Sequence, residues 1–485
     1  MLRPGSITFE PKAWGLHRQV GTSVLTFVDK GCYIMYDSRL ARRRFLQASA
    51  AAVLGIAGRA GLSSGDVAAA SDTQLTWLVR VTQSENVWEQ RVAIPHFQKM
   101  NPGIRVNPII VSNPTQNFDL KLSNMLIAGN APDVWSQWGP SDFVDYSWRG
   151  LTADVGPYLN RDRKEFADFY PGALDYGKWN GRQTGIPLML GGSYCFYNMD
   201  LLEKAGVPFP PASWEDKSWN WNAMVSAAKK VTRNFDDPSK AVYGVFADLG
   251  CYDEFVWLWG GDVWDKEVYT GKGVPHQSHW NTPEAIDAIQ SLADLTYVHK
   301  VAPSPAVQNA LGGSSGNDPF VTGRIAYRLT GIWGFYTYNT LPFRWGAAAL
   351  PGMHSNRGGI YADPWLLSSR SKNPDAAWKL IKYLTTTQGA REYMQATNTP
   401  VPHTELLAQW RTQFKDMKPQ DVQMVFEGSL KHGTLSIQND LVAYDRIRTI
   451  INNELSPVLS GQARAKDVAP VVDQKLAKLF RRLRP

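Results

Sequence analysis

Apolar and polar positions alternate in blocks whose period changes along the chain. "QLTWLVRV" (74–81) is a short, nearly continuous apolar run and predicts a buried strand. "NVWEQRVAIPHFQKMNP" (86–102) carries its apolar residues at helical spacing and stops at Asn101-Pro102. "IRVNPIIV" (104–111) predicts a second strand, "QNFDLKLSNMLIAGN" (116–130) a helix closed by Gly129, and "PDVWSQ" (132–137) a third strand. Strand, helix, strand, helix, strand with short connections is the pattern of a doubly wound parallel sheet, so the predicted class is α/β. Ligands of such sheets sit beyond the carboxyl ends of the strands, where Arg80 to Glu85 and Gln137-Trp138 fall.

A second α/β unit follows. "TGIPLMLGGSYCFYN" (184–198) predicts a strand pair broken at Gly191-Gly192. In "PPASWEDKSWNWNAMVSAAKKVT" (210–232), Ser213 with Asp216 three residues on predicts the start of an amphipathic helix. Helices are predicted at 283–300, twice within 374–395, and through most of 440–485, with a flexible loop at 312–318.

The 485 residues exceed one ordinary core, so two lobes are expected. The formal charge of +7 suggests nucleic acid only until it is located. Residues 1–70 hold nine Lys/Arg against four Asp/Glu, leaving 42 against 40 in 71–485, without a basic stripe. The basic segment, "RLARRRFLQASAAAVLGIAGRAG", has three arginines (42–44), Phe45-Leu46, a weakly apolar run and Ala68-Ala69-Ala70 before Ser71. That order resembles an export signal of twin-arginine type, with Met35 a candidate start. The expected mature chain is exported to the periplasm or the outer face of the cytoplasmic membrane. Its two cysteines, Cys195 and Cys251, are either bridged or free thiols.

Catalytic signatures are weak. "GGSSG" (312–316) fits G-x-S-x-G but lacks the strand and helix that a nucleophile elbow needs. His276 and His279 have no nearby third ligand, so no metal is expected. There is no phosphate-binding loop, C-x-x-C or H-E-x-x-H. Tryptophan stands out instead, with 18 in residues 71–485, several beside Gly, Asp or Tyr: "WLWGGDVWD" (257–265), "GIWGFY" (331–336), "GGIYADPW" (358–365). Aromatic faces beside carboxylates and amides suit a pyranose, whose C–H face stacks while its hydroxyls bond. Trp77, Trp88, Trp135, Trp257 and Trp378 are read as packing, and Asp133 as a turn residue.

The motifs "FQKMNPGIRV", "KLSNMLIAGNAPDV", "GIPLMLGGSYCFYNMDLLEKAGV", "FVTGRIAY…GIW", "NPDAAWKLIKYLTTTQGAREY" and "INNELSPVLSG", in this order, resemble the extracellular solute-binding proteins of ABC transporters, in the maltose and oligosaccharide branch. The resemblance implies a two-lobe periplasmic-binding-protein clamp. One lobe would hold 71–188 and 361–397, the other 189–360 and 398–485, with crossings near 187–192 and 358–361. It implies a monomeric, non-enzymatic sugar binder that needs no cofactor and delivers its ligand to a membrane permease. Carried over residue by residue, it nominates Trp138 and Trp333 as stacking platforms, Tyr361, Asp363 and Trp365 on the returning strand, and Tyr444. Arg80, Gln83, Glu85, Gln137, Asp248 and Tyr252 are the further expected ligand contacts. Two departures are the absent lipobox cysteine and Gly191, which stands where related binders can place an acidic contact. Rival ligands are a glycerol phosphate, a polyamine or a peptide; the rival class is a secreted carbohydrate-active enzyme.

Overall fold

The computed structural model describes residues 72–79, 87–111, 114–136, 143–270, 275–312, 318–435 and 441–483. The expected export signal, the "GGSSG" loop beyond Gly312, Arg80, Gln83, Glu85, Gln137 and Trp138 lie outside the described residues.

Strands β1 (Thr73–Leu78), β2 (Ile104–Ile109) and β3 (Val134–Ser136) pair in parallel, as the βαβαβ pattern requires, around helices α1 (Ile94–Met100) and α2 (Pro114–Ile127). Helix α1 grows out of a π-helical turn, Glu89–Ala93, so the predicted single helix is two segments. Asp133 fixes the entry to β3: its carboxylate accepts from Thr76 N at 2.7 Å, Thr76 Oγ1 at 2.8 Å and Ser371 Oγ at 2.5 Å. Two later strands complete this sheet, β4 (Gly185–Ile186) and β10 (Trp365–Leu367), giving the order β2-β1-β3-β10-β4.

The second sheet is built on β5 (Gly191–Asn198), every residue of which is buried. Strands β6 (Tyr243–Ala247), β7 (Ile325–Gly331), β8 (Trp345–Ala348), β9 (Gly359–Tyr361) and β11 (Thr434–Leu435) join it in the order β11-β9-β5-β7-β6, with β8 also on β5. Gly191 and Gly192 therefore do not break a strand pair; they open β5, and the break falls at 187–190. A Cβ on Gly191 would stand 2.2 Å from Ile332 Cδ1, and one on Gly192 2.6 Å from Ser429 Cβ. Close packing excludes a side chain there.

The helix predicted from Ser213 starts later. Helix α3 is Trp221–Val231, and its cap is Asn220, whose side chain accepts from Ala223 N at 3.1 Å. Ser213 and Asp216 instead accept from Glu215 N and Ser218 N, closing two turns. Helices α4 (Tyr252–Leu258), α5 (Pro283–Tyr297), α6 (Pro305–Gly312) and α7 (Trp333–Thr337) follow. Then come α8 (Pro374–Thr385), α9 (Thr387–Thr397), α10 (Pro419–His432), α11 (Tyr444–Leu459) and α12 (Ala465–Leu483).

Two short connections carry the chain between the sheets, 187–190 outward and 362–364 back. They are hydrogen-bonded to each other, Leu188 N and Met189 N both donating to Ala362 O at 3.0 and 3.2 Å. Leu190 N donates to Pro400 O at 3.2 Å, which brings the segment after α9 to the same place. Register fixes which edges meet. Trp365 pairs with Ser136 and Ile186 at the carboxyl end of β3, and Tyr361 pairs with Gly191 beside Gly331 at the carboxyl end of β7. Five residue steps span at most about 18 Å, so the carboxyl edges of the two sheets are held close to one another.

Candidate functional site

The loops after β6 and β7 meet at the connected edge of the second sheet. Trp333 begins α7, half-buried, with its ring edge-to-face on Tyr361 at 5.0 Å between centroids. The loop 248–252 lies against that ring: a Cβ on Gly250, whose φ is +101°, would be 3.3 Å from Trp333 Cη2 and 3.1 Å from Tyr361 Oη. Glycine lets the loop pass beneath the indole in a backbone conformation that L side chains rarely adopt.

Beyond Gly250 the loop walls a cavity of ≈ 470 Å³. Phe246, Tyr252, Leu292 and Leu295 give it apolar sides, while Asp248, Gln308, Arg448, Asn452 and Ser456 bring polar groups. The last three lie on one stripe of α11 with Tyr444, each four residues apart. Sequence reasoning named Tyr444 and passed over Arg448 and Asn452, although this i, i+4, i+8 spacing was present to be read. Arg448 forms no ion pair among the described residues. Tyr252 lies between the charges of Asp248 and Arg448, and burial pushes its phenol up to about 12.

Asp248 is 60% exposed and partly committed: it accepts from Gly250 N at 3.2 Å and lies 3.7 Å from the guanidinium of Arg328. Arg328 is buried, and a second carboxylate, Asp318, accepts from its Nε at 2.8 Å. Tyr361 is buried, its hydroxyl directed to Leu249 O at 2.7 Å and to the Glu254 carboxyl. Tyr444 is also buried, at 3% exposure. Trp365 departs most from its expected role as a cleft platform. It is 1% exposed and packs edge-to-face on Trp77 at 5.4 Å, a core residue of the first sheet. Asp363 sits half-buried in the return connection with φ +39°, and its backbone carbonyl accepts from Ser136 Oγ at 3.2 Å. Thus Asp248, Tyr252, Trp333, Tyr361 and Tyr444 belong to one neighbourhood, with Asp363 in the return connection and Trp365 on the first sheet beyond it.

Cys195 and Cys251 are both free thiols; burial in an apolar strand pushes Cys195 up. His276 and His279 face Asp265 at 4.0 and 3.5 Å, and among the described residues no group of three metal-ligating side chains forms. No helix among the described residues is long and apolar enough to cross a membrane.

A family model described as "Bacterial extracellular solute-binding protein" matches residues 82–391. The chain belongs to this family. A putative binding protein of Brucella abortus (strain 2308) is 25% identical over 301 residues, 59% of this chain and 66% of the relative, just under two thirds. A maltotriose-binding protein of Pyrococcus abyssi is 20% identical over 298 residues, 60% of this chain and 58% of that one. Among solved structures, an ABC substrate-binding protein from Listeria monocytogenes in complex with cycloalternan superposes with a TM-score of 0.71 at 24% identity. That superposition covers 84% of this chain and 99% of the other. The likeness establishes the two-lobe binding-protein fold, with each sheet flanked by helices.

Proposed function

We propose that this member of the solute-binding family is the extracytoplasmic sugar-capturing component of an ABC importer. It binds a mono- or oligosaccharide between its lobes, closes on it and presents it to a membrane permease, as a monomer exported through the twin-arginine signal. The lobes are those of the sequence reading, with 71–188 and 361–397 forming one and 189–360 and 398–485 the other. The observation that carries the reading is the junction of the half-buried Trp333 with a polar-lined cavity of ≈ 470 Å³ at the carboxyl edge of the second sheet. A stacking face beside amide, hydroxyl and guanidinium groups is what a sugar ring requires. Maltotriose-binding and cycloalternan-bound relatives are consistent with an oligosaccharide. Trp138, Gln137, Arg80, Gln83 and Glu85 are the contacts proposed from the first lobe, and Asp363 from the return connection. No chemical conversion of the ligand belongs to this reading, which sets it against a secreted carbohydrate-active enzyme.

Arg448, without an ion-pair partner among the described residues, favours a second reading: an acidic ligand such as a glycerol phosphate. A polyamine fits less well, since Asp248 is already beside Arg328. The test is a thermal-melt and tryptophan-emission screen of mono- and oligosaccharides with glycerol 3-phosphate and spermidine included. A ligand at one hundred times its dissociation constant stabilises the fold by about 2.7 kcal/mol, well within what a melt resolves. A saccharide hit with an emission change supports the sugar reading; a response to the phosphate alone selects the second.

A further inference from the structure

Glu254, in the first turn of α4, is completely buried directly behind the pocket loop. Its carboxyl accepts from Ser193 Oγ at 2.6 Å and from Gly359 N at 2.8 Å, and it faces Tyr361 Oη and, at 3.5 Å, Cys251 Sγ. Ser193 lies two residues into β5, just past the outward connection. Gly359 and Tyr361 are the two ends of β9, just before the return connection. One side chain therefore touches the roots of both connections, and its own helix begins at the loop that walls the cavity.

Strong donors cover every acceptor around it in one arrangement. Tyr361 has a single hydroxyl proton but two acceptors in reach, the buried Leu249 carbonyl at 2.7 Å and Glu254 Oε1. If Glu254 is ionised and Tyr361 donates to Leu249 O, Oε1 keeps only the weak Cys251 thiol donor at 3.5 Å. If Glu254 carries a proton, Ser193 and Gly359 donate to Oε2, the acid donates to Tyr361 Oη, and Tyr361 donates to Leu249 O. Every group is then satisfied. The charged groups nearby do not alter this. Asp253 beside it is another buried carboxyl, and Tyr194 on β5 turns its hydroxyl to Gly192 N and Ser429. On α11, Tyr444 feels the charges of both Glu254 and Arg448, while Arg357, next to β9, is paired with Asp262 at 2.9 Å. Burial without a cationic partner pushes the Glu254 carboxyl up to about 7, in the direction the bond count requires.

We propose that Glu254 is a positioning residue that acts as a proton-bearing tie: while protonated it holds the pocket loop to both connection roots, and ionisation loosens them. Opening hydrates the carboxyl, so the tied state is the one that binds the proton more tightly. It is favoured at low pH and weakened as pH rises past the group's titration, by at most about tenfold per pH unit for one proton. Loop, connections and cavity would then respond to external pH together. The inference concerns regulation of the clamp proposed above, but its test needs no ligand, so the two readings fail separately.

The test is hydrogen exchange of the ligand-free protein, followed by mass spectrometry across 187–193 and 359–364, at pH 6.0 and 8.5, corrected for intrinsic exchange. Protection in the wild type should be lower at pH 8.5 by up to about tenfold, the limit for one proton titrating near 7, while helices remote from α4 change little. Glu254→Gln reproduces the protonated acid's donors and acceptors, its amide donating to Tyr361. It should keep the high protection at both pH values. A flat wild-type profile overturns the proposal without any variant, as does a pH-dependent loss that persists unchanged in Glu254→Gln.

Discussion

Trp333 and Trp365 look alike in sequence, each after a turn and beside a strand, yet the structure gives them different surroundings. Trp333 keeps part of its indole accessible above Gly250, while Trp365 is enclosed between strands β3 and β4 and packs on Trp77. Their substitutions should separate accordingly. Trp333→Ala should weaken ligand binding by about 1–3 kcal/mol with little change in melting temperature, by analogy with aromatic anchors of interfaces. Trp365→Ala should cost about 3–5 kcal/mol of stability, the range for emptying a buried aromatic site. Calorimetric titration with the ligand found in the screen, and denaturant melts of both variants, check the pair; the reversed pattern would exchange their roles. Trp138→Ala is expected to behave like Trp333→Ala. What sequence could show of these residues was chemical type and a place near a strand end. Which ring face stays open depends on neighbours distant in sequence, from β1, β3 and β4 around Trp365 and from the Gly250 loop and β9 around Trp333, and no local pattern records it.

At the level of elements the first sheet was legible because each strand and helix obeys its own period, and the connections are short enough to leave little choice. Misreadings came where several residues could serve one purpose. Ser213 and Asn220 both have side chains able to cap a helix, and Asn220 does so because the segment 213–218 satisfies its own donors with Asx- and Ser-type turns. Asn220→Ala should therefore lower stability by about 1 kcal/mol, whereas Ser213→Ala should stay within a few tenths; urea melts distinguish them. Gly191-Gly192 suggested a break because glycine is usually read as backbone freedom. Here Ile332 and Ser429 fill the space that a Cβ would need. Gly191→Ala should thus destabilise by about 1–3 kcal/mol through overpacking. The same crowding accounts for why no acidic ligand contact stands at that position. Helix α11 shows the converse: its pocket-facing stripe of Arg448, Asn452 and Ser456 was legible by spacing alone, once the helix was known to border a cavity.

For the molecule as a whole, acid and base act on different buried groups. Asp253 and Glu254 are both pushed up to about 7, chiefly by burial. Between their unfolded values near 4 and that point, the native state holds protons that the unfolded chain has released. Each group then removes about 1.4 kcal/mol of stability per pH unit as pH rises, and the loss levels off above 7. His403, buried with its Nε2 on Thr385 O at 2.8 Å, is shifted down and acts oppositely, losing stability as pH falls below its unfolded value near 6.5. Asp162 is held down at about 2, first by its hydrogen bond to Arg161, with further support from Trp378 and Lys382. Its contribution is present above pH 4 and fades as pH falls toward 2. Two carboxyls against one imidazole leave a net decline between about pH 4.5 and 7. The melting temperature is therefore expected to be higher at pH 5 than at pH 8 and to drop again below pH 4. Glu254→Gln should flatten the decline between pH 5 and 8 by at least half, leaving the share due to Asp253, opposed by His403, and the acid limb set by Asp162. A wild-type melting temperature that rises from pH 5 to pH 8 would mean that these two carboxyls are ionised in the native protein, with solvent or a cation reaching them.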